Sequence, residues 1–435
     1  MDLKQRIATD LLDAHARTDA LLAPLDDQRL RVQHDPIMSP LVWDYGHVAV
    51  YQELWLVQQL SGTAPMDEAR MHHYDAFENP RRVRASLPLL SRSEVAAYRT
   101  AVDERSLSLL AEADVDGNPD PLLRHGFVYD MIVEHEHQHS ETMLQTLQLV
   151  DGGYGVALPT LPEPSRVLLQ LDAVAIPAGR YPIGSDEHAP YDNEHPTTWV
   201  DLAGFRIDRF PVTSGQYAAF VDDGGYTREG LWSAEGWAWR VEAGVEAPKH
   251  WHRDGPGGAW WTERFGHRVP VDMRTPVMHV CWHEAQAYCR WAGRRLPTEM
   301  EWEVAATWDP ATRHQRRHPW GDQPPTARCA NLDQRLYGAA PVGAYPDGAS
   351  ALGCEQMIGD VWEWTASDFL PYPGFNAFPY REYSEVFFGS EYKVLRGASW
   401  AARASVGRAT FRNWDYPIRR QIFAGFRCAD DGGRT

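Results

Sequence analysis

Apolar positions recur with a helical period through the first third of the chain and lose that period afterwards. Leu3, Ile7, Leu11, Ala14, Thr18 and Leu21 share one stripe, which predicts an amphipathic helix of about five turns. A second helix is expected to open at Ser39-Pro40, with Ser39 as cap and Pro40 in the first helical position, and to run through Trp43, His47, Tyr51 and Leu54. The spacing of Val95, Tyr98 and Val102 predicts a third from Ser93 to about Ala113, and a fourth spans roughly Leu122 to Leu149. Single apolar stripes on four helices can be buried only against one another, so residues 1–151 read as an all-α four-helix bundle. Between the second and third helices lie roughly 30 residues, including HHYDAFENPRRVR, more than a simple bundle connection needs.

The rest is built differently. Residues 152–166 (GGYGVALPTLPEPSR from Gly152) form a Gly/Pro-rich linker. Short strand-like runs follow, VLLQLDAVAI, WVDLAGFRI and KVLRGASW, with helices near Thr213 to Val221 and Trp282 to Gly293, so residues 167–435 read as an α+β domain. Of the 18 tryptophans, 16 fall after residue 165, which separates the halves compositionally as well. At 435 residues the chain exceeds what one core serves, and two domains are expected.

No run reaches the roughly 18 apolar residues of a membrane span. The opening, MDLKQRIATDLLDAHARTDALL, has acidic residues where a signal peptide needs a basic start. A soluble, cytoplasmic protein is expected, and no membrane partner. The formal net charge of −18 opposes phosphate binding and argues against nucleic acid, leaving small molecules as partners. Cys281, Cys289, Cys329, Cys354 and Cys428 are odd in number and contain no CxxC pair, so buried free thiols are expected.

The chemistry concentrates on three histidines. In the fourth helix, Glu134-His135-Glu136-His137-Gln138-His139 places His135 and His139 about 40° apart on one face, shared with Val128, Ile132 and Met143, while His137 points away. His47 lies on the stripe of Trp43, Tyr51 and Leu54 and also faces inward. Three interior imidazoles from two helices can close one face of a metal and leave the other open. Core histidines satisfied by hydrogen bonds are the plainer reading of each alone. His135 to His139 also matches HExxH, the zinc-protease helix. The extended form would need glycine at 142 and histidine at 145, and the chain has Thr142 and Gln145. Spacing leaves zinc, iron and copper open.

PLVWDYGHVA followed by VEHEHQHSETMLQ resembles the DinB-type bundle of the EgtB family, the hercynine oxygenases (sulfoxide synthases) of ergothioneine biosynthesis. RLPTEMEWEVAA, HPWGD, GDVWEWT, RGASW and FAGFR resemble the formylglycine-generating-enzyme fold, a C-type-lectin-like arrangement. The resemblance spans nearly the whole chain and departs at Ala398, where the broader family usually has a second glycine. A formylglycine-generating oxidase would hold copper on a pair of cysteines near the C-terminus, whereas Cys428 stands by itself there.

The resemblance implies a reaction in which Fe(II) and O2 join the sulfur of γ-glutamylcysteine to the imidazole C2 of hercynine and oxidise it to the sulfoxide. By similarity His47, His135 and His139 are the iron ligands, and Tyr380 is the catalytic tyrosine, a phenol protonated at neutral pH that can donate a proton or hydrogen bond. Asp415 and Arg419 are implied for the α-amino-acid head of the thiol, with Arg81 and Arg84 as further carboxylate-binding arginines. Asn413, Trp414 and Gln138 are implied for hercynine, Trp414 offering a face to its quaternary ammonium. Free cysteine or a selenosugar is an alternative donor, and a zinc-stabilised binding protein is the reading from another class. A monomer is expected.

Overall fold

The computed structural model describes residues 2–164, 172–187, 191–255 and 257–432. They form two compact units, one running to Val156 and including Phe265–His267, the other comprising the remainder from Ala157 onward.

In the first unit, α1 (Leu3–Leu22) begins at a capping box in which Asp2 and Gln5 satisfy each other's backbone. After the short α2 (Asp27–Arg31), α3 (Leu41–Gln52) continues without a break into a π-helical stretch, Glu53–Gln59. Pro40 is its N-cap and makes no side-chain bond. Ser39, expected as the cap, instead accepts a bond from Arg84 Nη1 at 2.8 Å. The long connection contains α4 (Glu68–His73) and a 3₁₀ turn, Arg81–Ser86. Helix α5 (Arg92–Glu112) starts at the Ser91–Glu94 capping box, one residue earlier than expected. Helix α6 (Phe127–Gln148) starts five residues later than expected, because His125 and Gly126 have left-handed φ of 57° and 77° that no helix continues through. Helix α1 packs on α6, and α3 on both α5 and α6.

In the second unit, regular structure is short. Strands β1 (Ala173–Ile176), β4 (Phe205–Asp208) and β14 (Ala429–Asp430) make one sheet, and the hairpin β2 (Gly179–Ile183) with β3 (Thr198–Leu202) lies between the first two in sequence. The run expected as one strand at 199–207 is thus two, and residues 167–171 of the run before it lie outside the described residues. Strands β5 (Trp251–Arg253), β6 (Trp260–Arg264) and β7 (His267–Pro270) form a meander, and β8 (Trp308–Asp309) pairs with β9 (His314–Gln315). A four-stranded sheet has the order β12 (Asn413–Asp415), β11 (Gly389–Arg396), β10 (Trp362–Phe369), β13 (Ala424–Gly425). Helices α7 (Ser214–Asp222) and α9 (Trp282–Trp291) fall where expected, and α8 (Ala234–Glu242) and α10 (Glu299–Thr307) join them.

The family motifs account for much of this unit's interior. RLPTEMEWEVAA supplies Glu299 and Glu303, GDVWEWT supplies Glu363, and RGASW and FAGFR supply Arg396 and Arg427. Arg427 grips Glu363 at 2.6 and 2.8 Å, Arg412 grips Glu299 twice at 2.9 Å, and Arg396 binds Glu303, all buried. Trp302 Nε1 completes Glu363 at 3.0 Å. Arginine's planar fork suits such two-point pairing, which satisfies a charge that burial would otherwise make costly. Ala398 sits at φ 62°, in the left-handed region, which explains why glycine is usual there. Among the described residues no helix is long and apolar enough to cross a membrane.

Candidate metal centre

One ring nitrogen from each of His47, His135 and His139 lies within 4.8 Å of the other two. The ring centroids are 5.2 Å apart for His47 and His135, 4.7 Å for His47 and His139, and 4.6 Å for His135 and His139. The i, i+4 spacing on α6 supplies two of them, and the packing of α3 on α6 supplies the third.

Two rings are oriented by a bond to Nδ1. That of His47 donates to the carbonyl of Tyr74 at 2.6 Å, and the ring stacks on Trp43 at 4.7 Å. That of His139 donates to Asp44 Oδ1 at 3.0 Å. Both bonds leave Nε2 as the nitrogen available to a metal. His135 stacks on Tyr51 at 3.9 Å, and its buried Nδ1 has no hydrogen-bond partner. A buried imidazole nitrogen without a partner is costly, and a cation bound at that nitrogen would remove the cost. Burial, and then repulsion from His139, hold His47 and His135 well below the ordinary imidazole range. Both are therefore neutral near pH 7, the state in which imidazole binds metal. The donor set fits iron(II), and its chemistry equally admits zinc.

Asp44 and Tyr74 were missed from sequence. Asp44 was legible in principle, since it precedes His47 by three residues on the same helix and so shares its face. Tyr74 acts through its carbonyl, from within a long connection, and no side-chain pattern marks that.

Glu136, the would-be base of HExxH, faces α1. Its Oε2 meets His15 Nδ1 at 2.6 Å, and its Oε1 accepts from Thr18 at 2.7 Å. His15 Nε2 bonds Asp103 at 2.9 Å. Burial opposes both charges, but Glu136 and Asp103 raise His15 to about 9, and His15 with Arg99 lowers Glu136 to about 2. Glu136 is thus a committed structural anion, and the protease reading loses its base.

The other candidates are found as follows. Gln138 is half-buried and donates to Glu134 O at 3.2 Å. Arg84 is buried, lies over Trp43 at 3.5 Å, and bonds the neutral acceptors Asn79 O and Ser39 Oγ, both at 2.8 Å. Burial lowers it to about 10. Arg81 is partly exposed, and its guanidinium has no partner among the described residues.

Within the second unit, Asn413, Trp414 and Asp415 form the edge strand β12, paired to Lys393–Leu395 of β11. Trp414 stacks on Phe369 at 4.2 Å, and Asp415 pairs with Arg419 at 3.2 Å. Tyr380 is half-buried beside Tyr383, with ring centroids 5.6 Å apart.

Both units match known families. The model of the DinB superfamily covers residues 10–143, and that of the Sulfatase-modifying factor enzyme 1-like domain covers 159–432. A hercynine oxygenase of Mycolicibacterium thermoresistibile is 47% identical over 99% of this chain and 96% of its own length. One from Mycobacterium tuberculosis is 46% identical over 99% of this chain and 100% of its own. The chain belongs to the hercynine oxygenase family. The second half alone is similar to a formylglycine-generating enzyme of Thermomonospora curvata, 36% identical over 44% of this chain and 70% of that protein. Like the rest of the hercynine oxygenase family, the chain is an oxygenase, with a helical DinB-like domain followed by an α+β domain of the formylglycine-generating-enzyme type.

Proposed function

We propose that the chain joins the thiol of γ-glutamylcysteine to the imidazole C2 of hercynine and oxidises the sulfur, giving γ-glutamyl-hercynylcysteine sulfoxide. The observation that carries this reading is the three-histidine cluster in a chain matched from end to end by hercynine oxygenases. The reaction balances with one O2: the C2–H and S–H bonds break, a C–S and an S–O bond form, and the second oxygen atom leaves as water. Iron(II), held by His47, His135 and His139, would supply the activation of dioxygen.

The remaining residues divide the binding work. Asp415 and Arg419, an acid and a base at one half-buried spot, suit the ammonium and carboxylate of an α-amino acid. Arg84 spends its hydrogen bonds on neutral acceptors, which supports a role for its charge toward a carboxylate, as does the unpaired guanidinium of Arg81. Trp414 suits a quaternary ammonium, with Asn413 and Gln138 as polar contacts to hercynine. Tyr380 would hold its proton on Oη and deliver it, or a hydrogen bond, during oxidation. The reading places a monomeric enzyme in the cytoplasm, a compartment suited to its unpaired cysteines.

The test supplies iron(II)-loaded protein with hercynine, γ-glutamylcysteine and oxygen and looks for the coupled sulfoxide by mass spectrometry. Parallel reactions with free cysteine and a selenosugar rank the donors. No product from any donor, beside a working control enzyme, refutes this assignment of substrates and product. His139→Ala is expected to lose iron, while Tyr380→Phe keeps iron and changes the product distribution.

A further inference from the structure

The turn Asp192–Glu194 is buried, and it gathers the two segments that carry this unit's candidate residues. On one side is the loop bearing Tyr380. Asp192 Oδ2 accepts from the backbone N–H of Phe378 at 3.0 Å, and Oδ1 accepts from the hydroxyl of Ser384. One carboxylate thus holds the loop two residues before Tyr380 and four residues after it. Asn193 Nδ2 adds a bond to the same hydroxyl at 2.9 Å, and Tyr191 stacks on Tyr383 at 4.7 Å and 15°. On the other side is the segment that enters β12. Arg412, next to Asn413, donates to the carbonyl of Asn193 at 2.9 Å, and Glu194 binds Arg408 and Thr410.

A phenol that must deliver a proton to one place needs its backbone fixed from both sides. Strands and α-helices do not do this for Tyr380, which lies between irregular chain and two short 3₁₀ turns, Arg381–Tyr383 and Glu385–Phe387. We propose that Asp192 is the positioning residue of Tyr380, clamping both flanks of its loop so that the phenol keeps one orientation. The inference rests on the reading of Tyr380 given above. It assigns Asp192 no contact with substrate, and it requires only an acceptor toward Phe378 N–H together with a partner for the Ser384 hydroxyl.

An asparagine can provide both, whereas an alanine provides neither. The test measures, in iron-loaded holoenzyme, how much of the consumed thiol appears as coupled sulfoxide and how much is oxidised without coupling. In Asp192→Ala the coupled-to-uncoupled ratio is expected to move in the same direction as in Tyr380→Phe, by about tenfold, since a 1 Å misplacement of a reacting group can cost roughly 100-fold. Asp192→Asn is expected to restore most of the ratio, which general loosening of the fold would not explain. Ser384→Ala, which removes a single hydroxyl, should give a smaller shift of the same sign and serves where Asp192→Ala yields no folded protein. A wild-type ratio in folded, iron-replete Asp192→Ala, or in Ser384→Ala where that variant carries the test, beside a shifted ratio in Tyr380→Phe overturns the inference alone. A wild-type ratio in Tyr380→Phe overturns the reading of Tyr380, and the inference with it.

Discussion

A Cβ on Gly46 would sit 2.3 Å from Cε1 of Tyr74, a ring that is itself buried at 1% exposure and whose hydroxyl accepts from Leu90 N–H. Glycine here lets the connection after α3 close against the helix, and that closure brings the Tyr74 carbonyl to His47. Gly46→Ala is therefore expected to cost about 1–3 kcal/mol, as overpacking does, and to weaken metal binding by displacing the carbonyl that aims the ring. Thermal denaturation and a metal titration read the two effects; unchanged affinity in a destabilised variant would detach Tyr74 from the site. Asp44 would act on the His139 ring in the same way, through its bond to Nδ1. Asp44→Asn keeps an acceptor for His139 but removes the charge that strengthens it as a ligand, so metal affinity should fall by about 10–100-fold with His139 still present.

Helix α6 carries two kinds of chemistry on two faces. His135 and His139 look toward α3, and one residue on from His135, Glu136 looks toward α1 and His15. The pH dependence separates the faces. His15 is raised from 6.5 to about 9, so its contribution to stability is complete below 6.5 and fades as pH rises through 9. Glu136 is lowered from 4.5 to about 2, so its contribution is complete above 4.5 and fades as pH falls through 2. Glu136→Gln should then cost roughly 3–5 kcal/mol near pH 6, where a charged His15 loses the more buried of its two carboxylate partners and keeps only Asp103, and less as His15 becomes neutral at alkaline pH. Metal content should not change. Denaturant titrations across pH test this, and a loss of metal without a loss of stability would return Glu136 to the site. The period of α6 made the histidine pair legible, because direction round a helix follows from spacing alone. Partners across the bundle, Glu136 with His15 and Asp44 with His139, depend on how helices are set against one another, which no single stripe encodes. Strand β12 was illegible for another reason: Asn413–Asp415 is three residues long, too short for alternation to register, and only its crowd of polar and aromatic side chains marked it.

Across the second unit, pieces of chain with little regular structure are tied together by buried and half-buried arginines over long sequence separations. Arg408 reaches Glu194, Arg412 reaches Glu299, Arg420 reaches Glu284, and Arg427 reaches Glu363, each forked on its carboxylate at 2.5–3.1 Å. Such pairs contribute less to net stability than their geometry suggests, because both charges were desolvated to make them. Their effect is to penalise any arrangement in which one partner is buried alone, and in a fold with short strands that penalty helps define the chain path. Arg412 is the informative case, since it also donates to Asn193 and Leu370 carbonyls and so joins α10, the Asp192 turn and the entry to β12. Arg412→Met leaves Glu299 only Arg396, 3.6 Å away, as a cationic partner and should cost roughly 3–5 kcal/mol, while Arg412→Met combined with Glu299→Leu should recover much of that loss, as apolar replacement of a buried pair often does. Recovery of stability in the double variant without recovery of coupled product would separate the two duties of Arg412, because the carbonyls of Asn193 and Leu370 still lack their donor. If the double variant instead falls by the sum of the two single losses, the pair was never coupled, and the ordering of this unit must be sought in its aromatic core.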